Sequence, residues 1–122
     1  MAGKLVHFEI PAQDTGRARN FWSGVFGWKF GDSAMPDMEY YMVQTSSDQG
    51  GAVYPQQEGE RGPIVYFDTD DIDKTIAKAR ELGGKADDKQ PIPHVGWFAR
   101  CVDTVGNEFS LFQSDESVAP PA

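Results

Sequence analysis

The sequence holds a single cysteine, Cys101, so no intrachain disulfide can form and the fold must rest on packing and hydrogen bonding. No apolar run approaches the roughly 18 residues that a membrane-spanning helix needs, and no leader-like segment opens the chain, so a soluble cytoplasmic protein is expected. Basic residues are scarce. Eleven Lys and Arg stand against 19 Asp and Glu, a formal net charge of -8, and they form no cluster. Nucleic-acid sites need a Lys/Arg patch to displace counterions, so no nucleic-acid partner is expected, and no membrane partner either. Histidine is equally sparse, with only His7 and His94.

What is present suits a folded domain. The 122 residues are 39% hydrophobic, and a chain of this length buries roughly two thirds of the surface it exposes when unfolded. Thirteen Gly and eight Pro mark many turns. Residues 4–11, KLVHFEIP, read as a strand ending at Pro11. Asp14 or Thr15 can then cap a helix whose face carries Ala18, Phe21, Trp22, Val25 and Phe26, a stripe expected in the core, and Gly27 stops it. Strands are expected at 28–33, 39–45 and 50–55, with turns at 35–37 and 46–49.

After a polar linker, 56–62, the pattern starts again. Residues 63–69 read as a strand, and Asp70 or Asp71 can cap a helix bearing Ile72, Thr75, Ile76, Ala79 and Leu82, ended by Gly83-Gly84. Strands are expected at 85–89, 95–103 and 108–114, and QPIPH, which contains His94, reads as a loop. A shift of 57 residues places Asp14 on Asp71, Ile10 on Phe67 and Gly27 on Gly84. The chain therefore reads as one α+β domain over 1–114, built as a βαβββ module (4–55), a linker and a second βαβββ module (63–114), with a flexible tail over 115–122. A ferredoxin-like sandwich would have two strands between its helices, and here four fit.

His7-Phe8-Glu9-Ile10-Pro11, Asp14, Phe21-Trp22 and Val25-Phe26-Gly27-Trp28 resemble the first half of the glyoxalase, bleomycin-resistance and extradiol dioxygenase superfamily, also called the vicinal oxygen chelate superfamily. Thr69-Asp70-Asp71-Ile72-Asp73, Leu82-Gly83-Gly84 and Asp103-Thr104-Val105-Gly106-Asn107-Glu108-Phe109 resemble its second half. The resemblance runs over residues 4–114. It implies two βαβββ modules whose curved mixed sheets face each other around a cleft, and a homodimer.

The same resemblance implies four metal-ligand slots. His7 falls on the first, Ile64 (or Pro63) on its counterpart, Ser110 on the final-strand slot and Val53, within one residue, on the last. A catalytic metal normally takes three N, O or S ligands from the protein, so no metal site and no cofactor are expected. His7 and Glu9 lie two apart on one strand, hence on one face, and can act as an acid/base pair. The resemblance places Tyr66, Trp97, Ser110 and Phe112 on inward faces as ligand-binding positions. Tyr40 or Tyr41 adds a phenol of undetermined parity, with Tyr41 carried forward as the binding position. Three functional readings stand: a metal-free protein that binds a small organic molecule, cationic or aromatic; a lyase or isomerase using a divalent metal or His7 and Glu9; and a drug-sequestering resistance protein. Cys101 is expected as a buried, inert thiol.

Overall fold

Asp14 and Asp71 each sit in extended backbone just ahead of a helix, and their carboxylates accept hydrogen bonds from the amides of Arg17 (3.0 Å) and Lys74 (3.1 Å). Each cap satisfies a first-turn N–H that no helical carbonyl can reach. These two helices punctuate the computed structural model of the protein, which describes residues 3–35 and 37–120. The turn expected at 35–37 includes Pro36, outside the described residues.

The chain divides into two units. Val6–Ile64 form one, and Val65 onward, with the stretch up to Leu5, forms the other. In the first unit β1 (Leu5–Ala12), α1 (Thr15–Phe26), β2 (Ser33–Met35), β3 (Met38–Gln44) and β4 (Gly50–Pro55) follow in order. Its strands lie side by side as β2-β3-β4-β1, antiparallel except for the parallel β1–β4 pair. In the second unit β5 (Ile64–Asp68) and α2 (Ile72–Glu81) lead to β6 (Lys85–Ala86), β7 (Gln90–Ile92), β8 (Gly96–Val102) and β9 (Glu108–Ser114). Here the order is β5-β9-β8-β6, with β7 also on β8 and the parallel pair being β5–β9. The class is α+β, and each unit repeats the β-α-β-β-β theme.

Several local expectations change. No strand forms until Ser33, because Trp28 turns its ring into an aromatic group, 5.5 Å from Phe8 and 5.3 Å from both Trp22 and Phe26. The α1 stripe is not a core: Phe21, Val25 and Phe26 are more than half exposed, and Thr15 is the buried residue of that helix. The second unit has one strand more than the repeat predicts, because residues 85–89 and the QPIPH stretch yield two short edge strands, β6 and β7, on β8. Pro91 fits an edge, where a missing N–H costs no ladder bond. Helix α2 ends at Glu81 with Leu82 as its cap, and the glycine of positive φ that follows is Gly83, at 95°, one position before the repeat's Gly84. The segment after Ser114 is pinned by the bonds Asp115 N–H to Val95 O and His94 N–H to Val118 O, both 2.9 Å, and Val118 is buried.

The D-T-V-G-N motif closes the β8–β9 hairpin. Asp103 accepts from the amides of Val105 and Asn107, both at 2.9 Å, while Gly106 takes φ of 91°. These bonds, led by the Asn107 side chain, hold the Asp103 carboxyl below its ordinary range.

The second unit's core joins Ile72 and Ile76 of α2 to Ala99, Cys101 and Leu111 of the sheet, with Trp97 and Phe109 packed against it. Burial pushes the Cys101 thiol up to about 11, which leaves it protonated and unreactive at neutral pH. Backbone approach is tightest at Gly96, where an added Cβ would stand 2.0 Å from the carbonyl oxygen of Gln113. Gly96→Ala is expected to cost about 1–3 kcal/mol, in line with overpacking of a well-filled site, seen as a lower urea midpoint at unchanged slope.

Candidate functional site

Strand alternation puts His7 and Glu9 on one face of β1 and Phe8 and Ile10 on the other. Register carries these faces across the sheet. His7 pairs with Gly50 and Glu9 with Ala52 on β4, and these pair in turn with Gln44 and Met42 on β3. Tyr41 pairs with Val53, so it belongs to the Phe8 and Ile10 face, and its neighbour Tyr40 belongs to the face of His7 and Glu9.

That parity settles which tyrosine meets the pair. The Tyr40 hydroxyl donates to Oε2 of Glu9 at 2.8 Å and lies 2.9 Å from Nε2 of His7, with the two rings stacked at 18°. Tyr41 is not at this place. It donates to Glu39 at 3.1 Å and lies under the Arg19 guanidinium, 3.8 Å from ring centroid to Cζ, while Thr15 of α1 donates to the same carboxylate at 2.8 Å. The sequence offers the doublet with Tyr41 carried forward, and the β3–β4 register overturns that choice in favour of Tyr40, because parity follows from pairing and not from composition.

Glu9 is buried, 8% exposed, and His7 is half-buried. Burial lowers the proton affinity of His7 below its ordinary value of 6.5, against the opposing pull of the Glu9 charge, so the ring is neutral at pH 7. Beside His7 the β3–β4 hairpin forms an open depression of about 460 Å³, lined by His7, Met42, Val43, Gln44, Ser47, Asp48, Gln49 and Gly50. Gln44, Ser47, Asp48 and Gln49 bring hydrogen-bonding groups to a lining whose larger share is apolar. The lining has an acid, Asp48, and no lysine or arginine.

In the second unit Tyr66 pairs with Ser110, and Asp68 with Phe112, so Tyr66, Ser110 and Phe112 share a face, joined from β8 by Phe98 and Arg100. Trp97 pairs with Gln113 on the opposite face, packs on the α2 core and carries Lys89 Nζ 4.5 Å from its ring centroid. The expected place for Trp97 therefore passes to Phe98. Ser110 is fully buried, and its hydroxyl has no hydrogen-bond partner among the described residues.

The metal slots can now be judged by their donors. Val53 lies on the wrong face, and the β4 residues beside His7 are Gly50, Ala52 and Tyr54, the last donating to Glu60 at 2.6 Å. Ile64 is a buried hydrocarbon. Among the described residues no three His, Cys, Asp or Glu side chains gather as a cation site would require.

The lowered affinity of His7 has a stability consequence with a fixed sign. The native state binds fewer protons than the unfolded chain near pH 6.5, so the contribution of His7 is full above that pH and is lost as pH falls towards the folded-state value. Urea denaturation at pH 7.5 and 5.5 is expected to show a smaller loss of stability for His7→Gln than for the native sequence.

Residues 4–46 match the family model described as bleomycin resistance protein-like N-terminal. A glyoxylase-like domain-containing protein of Didymella fabae is 32% identical over 118 residues, 89% of this chain and 92% of that protein. CFP32 of Mycobacterium bovis, provisionally named a glyoxylase, is 31% identical over 115 residues, and the chain spans 44% of its length. In fold the chain is similar to the hypothetical protein BH1468 of Bacillus halodurans, with a TM-score of 0.71, 13% identity and coverage of 97% and 99% of the two chains. It is likewise similar to Streptomyces coelicolor methylmalonyl-CoA epimerase in complex with 2-nitronate-propionyl-CoA, with a TM-score of 0.70, 15% identity and coverage of 99% and 100%. Sequence kinship over nearly the whole of a glyoxylase-like relative, on a doubled β-α-β-β-β frame, means that the chain belongs to the glyoxalase, bleomycin-resistance and extradiol dioxygenase superfamily.

Proposed function

We propose that this protein binds a small organic molecule, neutral or cationic, in the depression beside His7, and does so without a catalytic metal. One observation carries the reading: a neutral imidazole, tied to Tyr40 and Glu9, stands at the edge of a depression whose lining adds the Gln44 and Gln49 amides and the Ser47 hydroxyl to apolar surface and holds no lysine or arginine. Such a lining offers hydrogen bonds for orientation, and Asp48 with the net charge of -8 disfavours an anion. The epimerase neighbour was solved with a coenzyme A thioester analogue. A ligand of that kind carries several phosphate charges, and this lining has no cation to meet them. The donor set around His7, with Ala52 and Ile64 near ligand slots, supports the metal-free part of the proposal.

A second reading, proton transfer to and from a carbon acid, draws on the lowered proton affinity of His7 and its bonded link to a buried carboxylate. It makes the protein an isomerase or lyase of the glyoxalase type acting through His7 and Glu9. Drug sequestration is the binding reading with an antibiotic as ligand. A homodimer in the cytoplasm completes the proposal, supported by the apolar side chains of Phe21, Val25 and Phe26 exposed on α1.

Melting curves across neutral, cationic and anionic metabolites and antibiotics test the binding reading. A ligand present at a hundredfold its Kd stabilises the native state by about 2.7 kcal/mol, enough to move the midpoint by several degrees. Compounds without negative charge are expected to raise Tm, and His7→Ala is expected to weaken them at least tenfold while its own circular dichroism stays native. No response from any class, or response only to phosphorylated compounds, overturns the reading. Near-stoichiometric zinc, nickel, iron or manganese in protein purified without tag or chelator overturns its metal-free part.

A further inference from the structure

We propose that Tyr40 is a positioning residue that holds His7 as the Nε2–H tautomer, so that the imidazole lone pair lies on Nδ1. This rests on the reading of His7 as the polar anchor of the ligand site, and it names the residue that sets which atom of His7 serves as acceptor.

The inference follows from counting protons. A phenol has one. Tyr40 gives its proton to Oε2 of Glu9, a buried carboxylate that can only accept. The Tyr40 oxygen then has only lone pairs to turn towards Nε2 of His7 at 2.9 Å, so the hydrogen in that bond belongs to the imidazole. A neutral imidazole carries one N–H, which leaves Nδ1 as the basic nitrogen. Reversing the chain would take the Tyr40 donor away from Oε2 of a side chain that is 8% exposed, and removing a hydrogen bond to a buried charged group is unfavourable.

Packing makes this chain feasible. Tyr40 lies on β3, and the whole of β4 separates it from His7 and Glu9 on β1. A phenol can reach across one strand only if that strand presents little on the shared face. At Gly50 and Ala52, the partners of His7 and Glu9, it does. Ala52 is fully buried and an added Cβ at Gly50 would stand 2.7 Å from the Val43 carbonyl oxygen, so neither position has room for a larger side chain. Tyr54, the next residue on that face, flanks Tyr40 with ring centroids 6.2 Å apart.

Nitrogen-15 NMR of the unliganded protein tests the proposal. Since the chain has only two histidines, His94→Gln leaves His7 as the sole imidazole. At neutral pH the expected spectrum is the Nε2–H tautomer with its ring N–H proton visible and slow to exchange with water. Tyr40→Phe is expected to abolish that protected proton and release a mixture of tautomers. Ala52→Val, which keeps the phenol but fills its path, is expected to do the same, so loss of folding in one variant leaves the other as the test. An Nδ1–H ring in the native sequence, or a protected signal unchanged in a folded variant, overturns the proposal. The spectra need no ligand, so failure of the binding reading in the melting panel and failure of this inference are separate results.

Discussion

Glu9 constrains the site more than any other residue. A carboxyl group only 8% exposed needs hydrogen-bond partners inside the protein, and the phenol of Tyr40 supplies one such bond. Once the phenolic proton is committed there, the Tyr40 oxygen faces His7 as an acceptor, and burial keeps the imidazole neutral against the charge of Glu9. Three side chains from two strands thus behave as one unit. Changing any member alters the proton inventory of the other two, which is why their single substitutions will not be additive.

The backbone prepares this arrangement through what it omits. Gly50, Gly51 and Ala52 give β4 almost no side-chain volume between β1 and β3, and the two faces use the gap differently. On one face Tyr40 spans it. On the other the Phe8 ring occupies the space where a Cβ on Gly51 would lie, 2.3 Å away, and continues into Trp28, Trp22 and Phe26. A short run of small residues therefore serves polar chemistry on one side and aromatic packing on the other.

The sequence was legible where a signal is local. Asp14 and Asp71 announce their helices because capping involves residues three apart, and the Asp103 to Gly106 turn announces its hairpin for the same reason. Periodicity located both helices, and alternation placed His7 beside Glu9. Legibility ended where the answer depends on pairing. Tyr40 against Tyr41, and Trp97 against Phe98, differ by one residue, and one residue is the distance between opposite faces of a strand. The α1 stripe misled for a related reason: its spacing correctly marks one helix face, yet Phe21, Val25 and Phe26 stay exposed because the aromatic group around Trp28 covers only part of it.

The repeat itself shows how two units can share a frame and diverge in chemistry. Both begin with a strand, a cap aspartate and a helix, and both place a parallel strand beside the first, β4 on β1 and β9 on β5. In the first unit the face bearing His7 joins a half-buried imidazole to a buried carboxylate through the Tyr40 hydroxyl. In the second, the corresponding strand pair sets Tyr66 against Ser110, whose hydroxyl is fully buried and without a partner among the described residues. An unsatisfied buried hydroxyl costs about 1–3 kcal/mol, a cost that alanine, filling nearly the same space, would not carry. The polar groups at both positions are thus poorly accounted for by packing alone. In the first unit the bonded group also borders an open depression, and that makes His7 the residue from which the chemistry of this protein is best approached.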